Sequence, residues 1–555
     1  MLAESLMDEE PQISDAASDV YAEGDETRRS HRVDGDKNRV HSSIAMHFYV
    51  TDAALGDVAE PNLAAAFRHA GASLPLPTPE DLGGKLLDNA FQRTQSLVDA
   101  GLQLSQFNCI SLNSWWRPGD GADGATRTIN YVAANEDQTF YLESQSVTKG
   151  QLEDEDFATN EMFRLMERCH QRVCGAVTDN TRAQQGMWRR LKAIHPSRFF
   201  HGCMSHGLCL FIQDIFDRPA VPESPQTQPS RPFADLQSLT EDCRVVATFF
   251  QQDTASGESL RFALSSESGS LAFPLRNQWA ELKSGFQSFL THEPGLRSVV
   301  SDPLFVSESL QYMREYRVHV MQIVLDVEFV PSIEKALKLL EPLTTALKHF
   351  DDAADASCSD VFACFAKTLP DAFNAIPGLT DAERSHLLAV NQRRFNFMYG
   401  DGHGIAYLLD PRFIGDGLSV QVRKNVEDTI YGFPVGDEAA EAVAEELKLE
   451  MAQQLTEFVI DATRERAHQT FRFSLLAKRK KSPLQYWLTD GQRWPRLQQV
   501  ACRVFCLPSS TVALERKICE LAPRAGPSSA SSETADKIKF VRINTLLQRK
   551  SPSLG

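Results

Sequence analysis

Four short stretches, far apart in the 555-residue chain, hold residue types able to do chemistry. Asp179 closes the run VTDN, Glu515 sits in VALERKI, Cys203 and His206 lie three apart in GCMSHGL, and Asn113 lies in ISLNSWW. Metal-assisted phosphoryl transfer needs carboxylates in one cleft, because divalent cations about 3.5 to 4 Å apart activate the attacking oxygen and stabilise the leaving one. Asp179 suits that task, and it equally suits capping the helix that follows. Asn113 does not suit it: an amide offers one neutral carbonyl oxygen, which neither bridges two cations as a carboxylate does nor offsets their charge. Asp120, seven residues on, serves instead only if its loop folds back into the cleft. Cys203 and His206 are zinc-ligand types, but two ligands leave a zinc site half built, and a hydrogen-bonded histidine beside a buried thiol is the simpler role. Glu515, next to Arg516, is by itself an ordinary helix glutamate.

These residues need elements to carry them. Runs rich in strand formers occur at 107–115, 125–135 and 138–146, separated by turn residues. A helix over 154–170, a strand over 173–179, a helix over 182–194, a short strand over 199–203 and a helix over 206–216 follow. The order βββαβαβα predicts an α/β fold with an RNase H-like mixed sheet, helices on both faces, and a large all-α insertion after it. In such a sheet the first and fourth strands are neighbours, which brings Asn113 and Asp179 to one cleft. Five segments are expected: a disordered tail over 1–45, a helical segment over 46–105, the first part of the core over 106–217, a mainly helical insertion over 218–480, and a C-terminal region over 481–550 that completes the core. Within the insertion Ile333, Leu337, Leu340, Leu343, Leu347 and Phe350 share one helical face, and Val443, Leu447, Met451, Leu455 and Phe458 share another. Trp494, Leu497, Val500, Ala501 and Val504 form an apolar stripe fit for burial, either against a second chain or on the sheet of the same one.

Composition narrows the class. With 42% hydrophobic residues, 30 Gly and 27 Pro, collagen-like and wholly disordered chains are excluded. No apolar run approaches a bilayer span, and the start MLAESLMDEEPQISD is acidic, so a soluble intracellular protein without membrane contact is expected. The 11 cysteines include no CxxC pair, which predicts reduced, mostly buried thiols and excludes a finger-type DNA reader. The net charge of -17 is unevenly spread: Arg464 to Lys550 holds 18 Lys plus Arg against 6 Asp plus Glu, or +12, leaving -29 for the remainder. A basic C-terminal part can meet phosphate, and it can equally be a solvated face. The cluster Lys478, Arg479, Lys480 and Lys481 is a candidate nuclear import signal or phosphate contact, although four basic residues at a helix end are common.

Taken in chain order, LNSW, VTDN, GCMSH with a helix reaching Asp214, HGIAYLLDPRF (403–413) and WPRLQQVACRVFCLPSSTVALER form a set that resembles the hAT superfamily of DNA transposases. The resemblance runs from about residue 50 to the end. It implies a C-terminal dimerisation segment, hence a homodimer or higher assembly, with DNA as partner and the nucleus as location. It also implies Mg²⁺ or Mn²⁺ on a DDE triad whose second member matches Asp179 and whose third matches Glu515. Cys203 and His206 match the family's CxxH element near the cleft, and Arg516 with Lys478 to Lys481 are candidate binding residues. The helical stretch matches the family's large insertion, in which Trp279 is the nearest candidate for a base-stabilising Trp, though a core role suits it better. Three departures matter: Asn113 replaces the first catalytic Asp, no Cys/His finger pattern precedes residue 100, and Lys517, Ile518 and Cys519 stand where Phe-Ser usually follows the Glu-Arg. The expected function is a catalytically impaired, transposon-derived nuclear dimer that binds DNA or protein. The alternatives are an active transposase that cuts and transfers DNA strands with Mg²⁺, and a decayed element without a role.

Overall fold

The computed structural model describes residues 23–69, 75–105, 107–115, 126–217, 232–263, 271–275, 278–307, 311–352, 356–434, 441–523 and 532–550. The chain falls into two compact units, one made of 1–98 with 521–555 and the other of 99–520.

The smaller unit is helical. The stretch expected to be a disordered tail is helix from Glu23 to Thr51, and the rest of that tail lies outside the described residues. No proline interrupts it, and Ala45, Phe48 and Tyr49 recur at helical spacing and are buried, so the helix propagates from a packed end. Tyr49 Oη donates to the Leu82 carbonyl at 2.6 Å. The helix Ser532–Lys550 was expected to complete the core beside the sheet, but it closes this unit instead. Its Ile538 and Val541 join the cluster of Phe48, Tyr49 and Leu87, and the Phe540 and Phe91 rings lie 5.0 Å apart. Helical spacing specifies an apolar face, not the surface that will cover it.

The larger unit is built on five strands in the order β3-β2-β1-β4-β5. β1 (Asn108–Trp115), β2 (Thr126–Ala134) and β3 (Thr139–Thr148) form an antiparallel meander. β4 (Val173–Thr178) runs parallel to β1, and β5 (Phe199–Gly202) runs parallel to β4. The sheet is therefore mixed. Every residue of β4 is buried, which is why VCGAVT reads as a continuous small-apolar run rather than an alternating one. The helices Glu155–Arg168 and Arg182–Ile194 supply the connections to β4 and β5, with Asp154 and Thr181 as their side-chain caps, and the helix Met204–Phe216 leads out of β5.

The helix Met204–Phe216 ties the sheet to the helical part. Its Leu208, Phe211, Ile212 and Ile215 share one core with Leu236, Phe286, Phe289, Leu340 and Leu343. On the helix Phe329–Asp352 the expected face is buried at Ile333, Leu340, Leu343, Leu347 and Phe350, with Leu337 packed at its edge. On the helix Glu441–Ala467, Met451, Leu455 and Phe458 are buried. Trp279 is a core residue, with the Arg244 guanidinium 5.4 Å from its ring centre.

The segment Pro483–Phe505 returns to the sheet. Trp487, Leu497, Val500 and Val504 share a second core with Cys109 of β1, Val177 of β4 and Phe199 of β5. The whole stripe Trp494, Leu497, Val500, Ala501 and Val504 is buried within its own chain, so of its two possible coverings the intramolecular one is observed. Among the described residues no helix is long and apolar enough to cross a membrane. None of the 11 cysteines is in a disulfide.

Candidate carboxylate site at the end of the sheet

β4 delivers Asp179 one residue beyond its last strand position, where the chain turns into the helix Arg182–Ile194. The parallel register pairs Ser111 of β1 with Val177 of β4, so two residues further on Asn113 is level with Asp179. The Asn113 side chain and Asp120 lie outside the described residues. Asp179 is not the cap of the following helix, since the Thr181 hydroxyl accepts from the Gln184 N–H in that role. Its Oδ1 lies 3.2 Å from His206 Nδ1, and the Asn180 N–H donates to the same nitrogen at 3.2 Å. One ring nitrogen serves one of these contacts at a time: unprotonated it accepts from Asn180, and protonated it donates to Asp179. The Asn180 amide crosses to the Cys203 carbonyl at 2.8 Å, over Gly202. A Cβ on Gly202 would fall 1.5 Å from Asn180 Oδ1, so only glycine permits this crossing.

Cys203 is engaged from another direction. The Thr511 N–H and hydroxyl donate to its sulfur at 3.3 and 3.4 Å, and the Ser510 hydroxyl lies 3.4 Å away. Burial pushes the thiol up from its ordinary value, so the sulfur receives hydrogen bonds as a neutral group. Beside it the Met204 N–H donates to the Ser509 carbonyl at 3.0 Å, and Ser205 Oγ bridges Ser510 at 2.8 Å and Asp351 at 2.5 Å. The Ser509–Thr511 loop is therefore clamped to the start of the Met204–Phe216 helix. One turn later, on the helix Val512–Leu521, comes Glu515. His206 lies against Asp179, and Cys203 anchors the loop that precedes Glu515. Sequence reasoning missed Ser205, Ser509, Ser510 and Thr511, although a PSST run ahead of an apolar helix is a cap signature.

Glu515 is buried, and its environment is hostile to charge. Burial first, and the charge of Asp179 second, push its carboxyl up to about 8. Two carboxylates whose charges oppose each other in a shielded place are a donor set that a divalent cation relieves. The shift also makes stability depend on pH. The ordinary value is 4.5, so the protonated group contributes stability that is fully present below that value and is lost as pH rises through about 8. Glu515→Gln is expected to abolish this slope and to stabilise the chain at high pH by roughly a few kcal/mol. Urea midpoints of both proteins at about pH 5 and about pH 9 check it; parallel pH profiles would refute the assignment.

The remaining candidates are scaffold or surface. The Arg516 guanidinium pairs with Asp352 at 3.2 Å and approaches Asp351 at 3.8 Å, bracing the Glu515 helix. Asp214 is held by Arg393 at 2.9 Å and Arg394 at 2.5 Å. Of the basic cluster, Arg479 pairs with Asp360 at 3.0 Å and Lys481 pairs with Asp490, whereas Lys478 and Lys480 are exposed. Half of that cluster is thus committed to internal ion pairs.

Residues 466–536 match the family model for the hAT family C-terminal dimerisation region. That match covers the C-terminal segment alone: it is similar to the dimerisation region of hAT-family transposases and supports self-association through this part of the chain. No curated protein matches the chain. Among the described residues of the matched segment, the large apolar side chain left in solvent is Phe471, 81% exposed.

Proposed function

We propose that the chain is a transposon-derived, dimeric DNA- or protein-binding factor of the nucleus, with an RNase H-like core whose two-metal site is disabled at Asn113. What supports this reading is that the buried Glu515 carboxyl feels the charge of Asp179, while the position level with Asp179 on β1 is an amide. Asp179 and Glu515 would hold one Mg²⁺ or Mn²⁺, which when bound supplies Lewis-acid activation of a phosphoryl oxygen. His206 fixes the Asp179 carboxylate, and the Ser509–Thr511 clamp fixes Glu515. A neutral amide adds no charge to offset a second cation, and each tenfold of rate lost corresponds to about 1.4 kcal/mol of barrier. The exposed Lys478 and Lys480 support contact with phosphate or an import receptor.

The test is Mn²⁺ binding by calorimetry to the full chain, to Asn113→Asp, and to Asn113→Asp combined with Asp179→Ala. The expected result is weak or absent binding by the natural chain, a strong site gained by Asn113→Asp, and its loss on Asp179→Ala. The opposing paired-carboxylate observation favours an active, Mg²⁺-dependent strand-cutting enzyme. Two Mn²⁺ bound tightly by the natural chain would establish that reading and overturn the disabled site.

A further inference from the structure

Away from the carboxylates, three side chains from distant parts of the sequence meet in a dry interior. They are His201 on β5, Cys358 at the start of the helix Cys358–Ala363, and His403 in the first turn of the helix Asp401–Leu409. All three are fully buried, and their ligand-type atoms lie within 4.8 Å of one another. The nearest pair, Cys358 Sγ and His201 Nε2, is 3.4 Å apart. Two ligands on a tetrahedral zinc, at Zn–N near 2.0 and Zn–S near 2.3 Å, stand about 3.5 Å apart, so this pair already has the spacing of co-ligands.

The outer partner of His201 points the same way. His201 Nδ1 lies 3.0 Å from the Gly202 carbonyl, and with the proton on Nδ1 donated there the lone pair of Nε2 turns inward, the arrangement that fixes metal-bound histidines. His403 Nδ1 lies 3.1 Å from both the Gly400 N–H and the Gly400 carbonyl, so its ring takes the metal-binding tautomer when Nδ1 donates to the carbonyl. A thiol-to-imidazole hydrogen bond explains the Cys358–His201 contact by itself. It does not explain His403, whose buried Nε2 has no hydrogen-bond partner among the described residues. The close approach is also permitted deliberately: a Cβ on Gly400 would meet the Phe200 carbonyl at 2.4 Å, and without one the Asp401–Leu409 helix seats its first turn on β5.

We propose that His201, Cys358 and His403 form a structural site for a thiophilic closed-shell cation, Zn²⁺ or Cu⁺. The proposal does not depend on the transposase reading. Loading converts the Cys358 thiol to thiolate, releasing one proton to solvent, while both imidazoles bind neutral; no electron is transferred. Burial suits the last point, since it lowers His201 to about 4 and holds His403 well below its ordinary value. The cation would staple β5 to two separate segments of the helical region. Being closed to solvent, the site is not a place for substrate.

The experiment begins with elemental analysis of the full chain purified without chelator, followed by Zn²⁺ and Cu⁺ titrations against chromophoric chelators. The expected result is about one cation per chain, the element found deciding between the two, with affinity lowered at least about a hundredfold by Cys358→Ser and by His403→Gln, beyond what outer-partner changes cause. Cys243→Ser, a buried thiol elsewhere, should bind as the natural chain does. If the site variants fail to fold, X-ray absorption of the loaded natural chain decides. A first shell of nitrogen with one sulfur supports the site, and an all-sulfur or all-oxygen shell overturns it. A chain that binds neither cation, or site variants that bind unchanged, overturns it as well.

Discussion

Trp487→Ala is expected to destabilise the 99–520 unit by about 3 to 5 kcal/mol, enough to unfold much of it at physiological temperature. The indole is fully buried, and its Nε1–H donates to the Leu409 carbonyl at 3.0 Å. Its ring packs 4.9 Å from Phe458 and 6.0 Å from Trp494, centre to centre. Truncation opens a cavity too large to collapse and leaves a main-chain acceptor unsatisfied, which adds about 1 to 3 kcal/mol. Far-ultraviolet circular dichroism through a urea titration measures the loss. The same titration separates two meanings of the C-terminal segment. If the Trp494-to-Val504 stripe served as a subunit contact, lesions around it would dissociate a dimer and leave the protomer folded. Because the stripe is internal, they should instead unfold the protomer at any concentration. Phe471→Ala should do the reverse, keeping the urea midpoint within about 0.5 kcal/mol of the natural value and weakening self-association measured by sedimentation.

Arg412→Ala is expected to cost a similar amount, about 3 to 5 kcal/mol, for an electrostatic reason. Its Nη2 lies 2.7 Å from Asp410 and 3.1 Å from Asp360, and both acids are buried. Ser359 donates to Asp410 at 2.6 Å, and Arg479 adds a second cation to Asp360 at 3.0 Å. Removing the guanidinium leaves Asp410 charged in the interior with only a hydroxyl and main chain around it. Asp360 gives the change a pH signature. Burial opposes its charge, yet Arg412 and Arg479 overcome that and hold the carboxyl below its ordinary value. The stability it contributes is therefore present above its unfolded value and is lost as pH falls through the folded one. Arg412→Ala should flatten that acid limb, and Arg412→Met with Asp410→Asn should recover part of the loss. A midpoint within about 0.5 kcal/mol of the natural chain would show that the cluster is not a keystone.

Much of the sheet is legible in the sequence because strand and helix signals agree there. The runs around Ile110, Tyr131, Phe140 and Val177 combine β-branched or aromatic residues with turn-forming neighbours, and the observed strand bounds fall close to the expected ones. Asp179 and His206 are legible as chemistry-bearing types, but their hydrogen-bonded relation depends on a turn that only three dimensions reveal. Partnership is harder still. The stripe from Trp494 and the face of the last helix declare an apolar surface without declaring its cover, and one turned out to face its own sheet while the other faces Phe48 and Tyr49. The His201, Cys358 and His403 cluster was invisible for a related reason: its members lie in segments whose separations follow no ligand motif.

The clamp between Cys203 and Thr511 spans 308 positions of sequence. A ribosome therefore releases Asp179 and His206 long before the loop that brings Glu515 exists, and the whole helical region must fold without it. Glu515 and the loop that holds it therefore exist only in a chain made past that point, and a product cut short before Ser509 carries the first acid without the second.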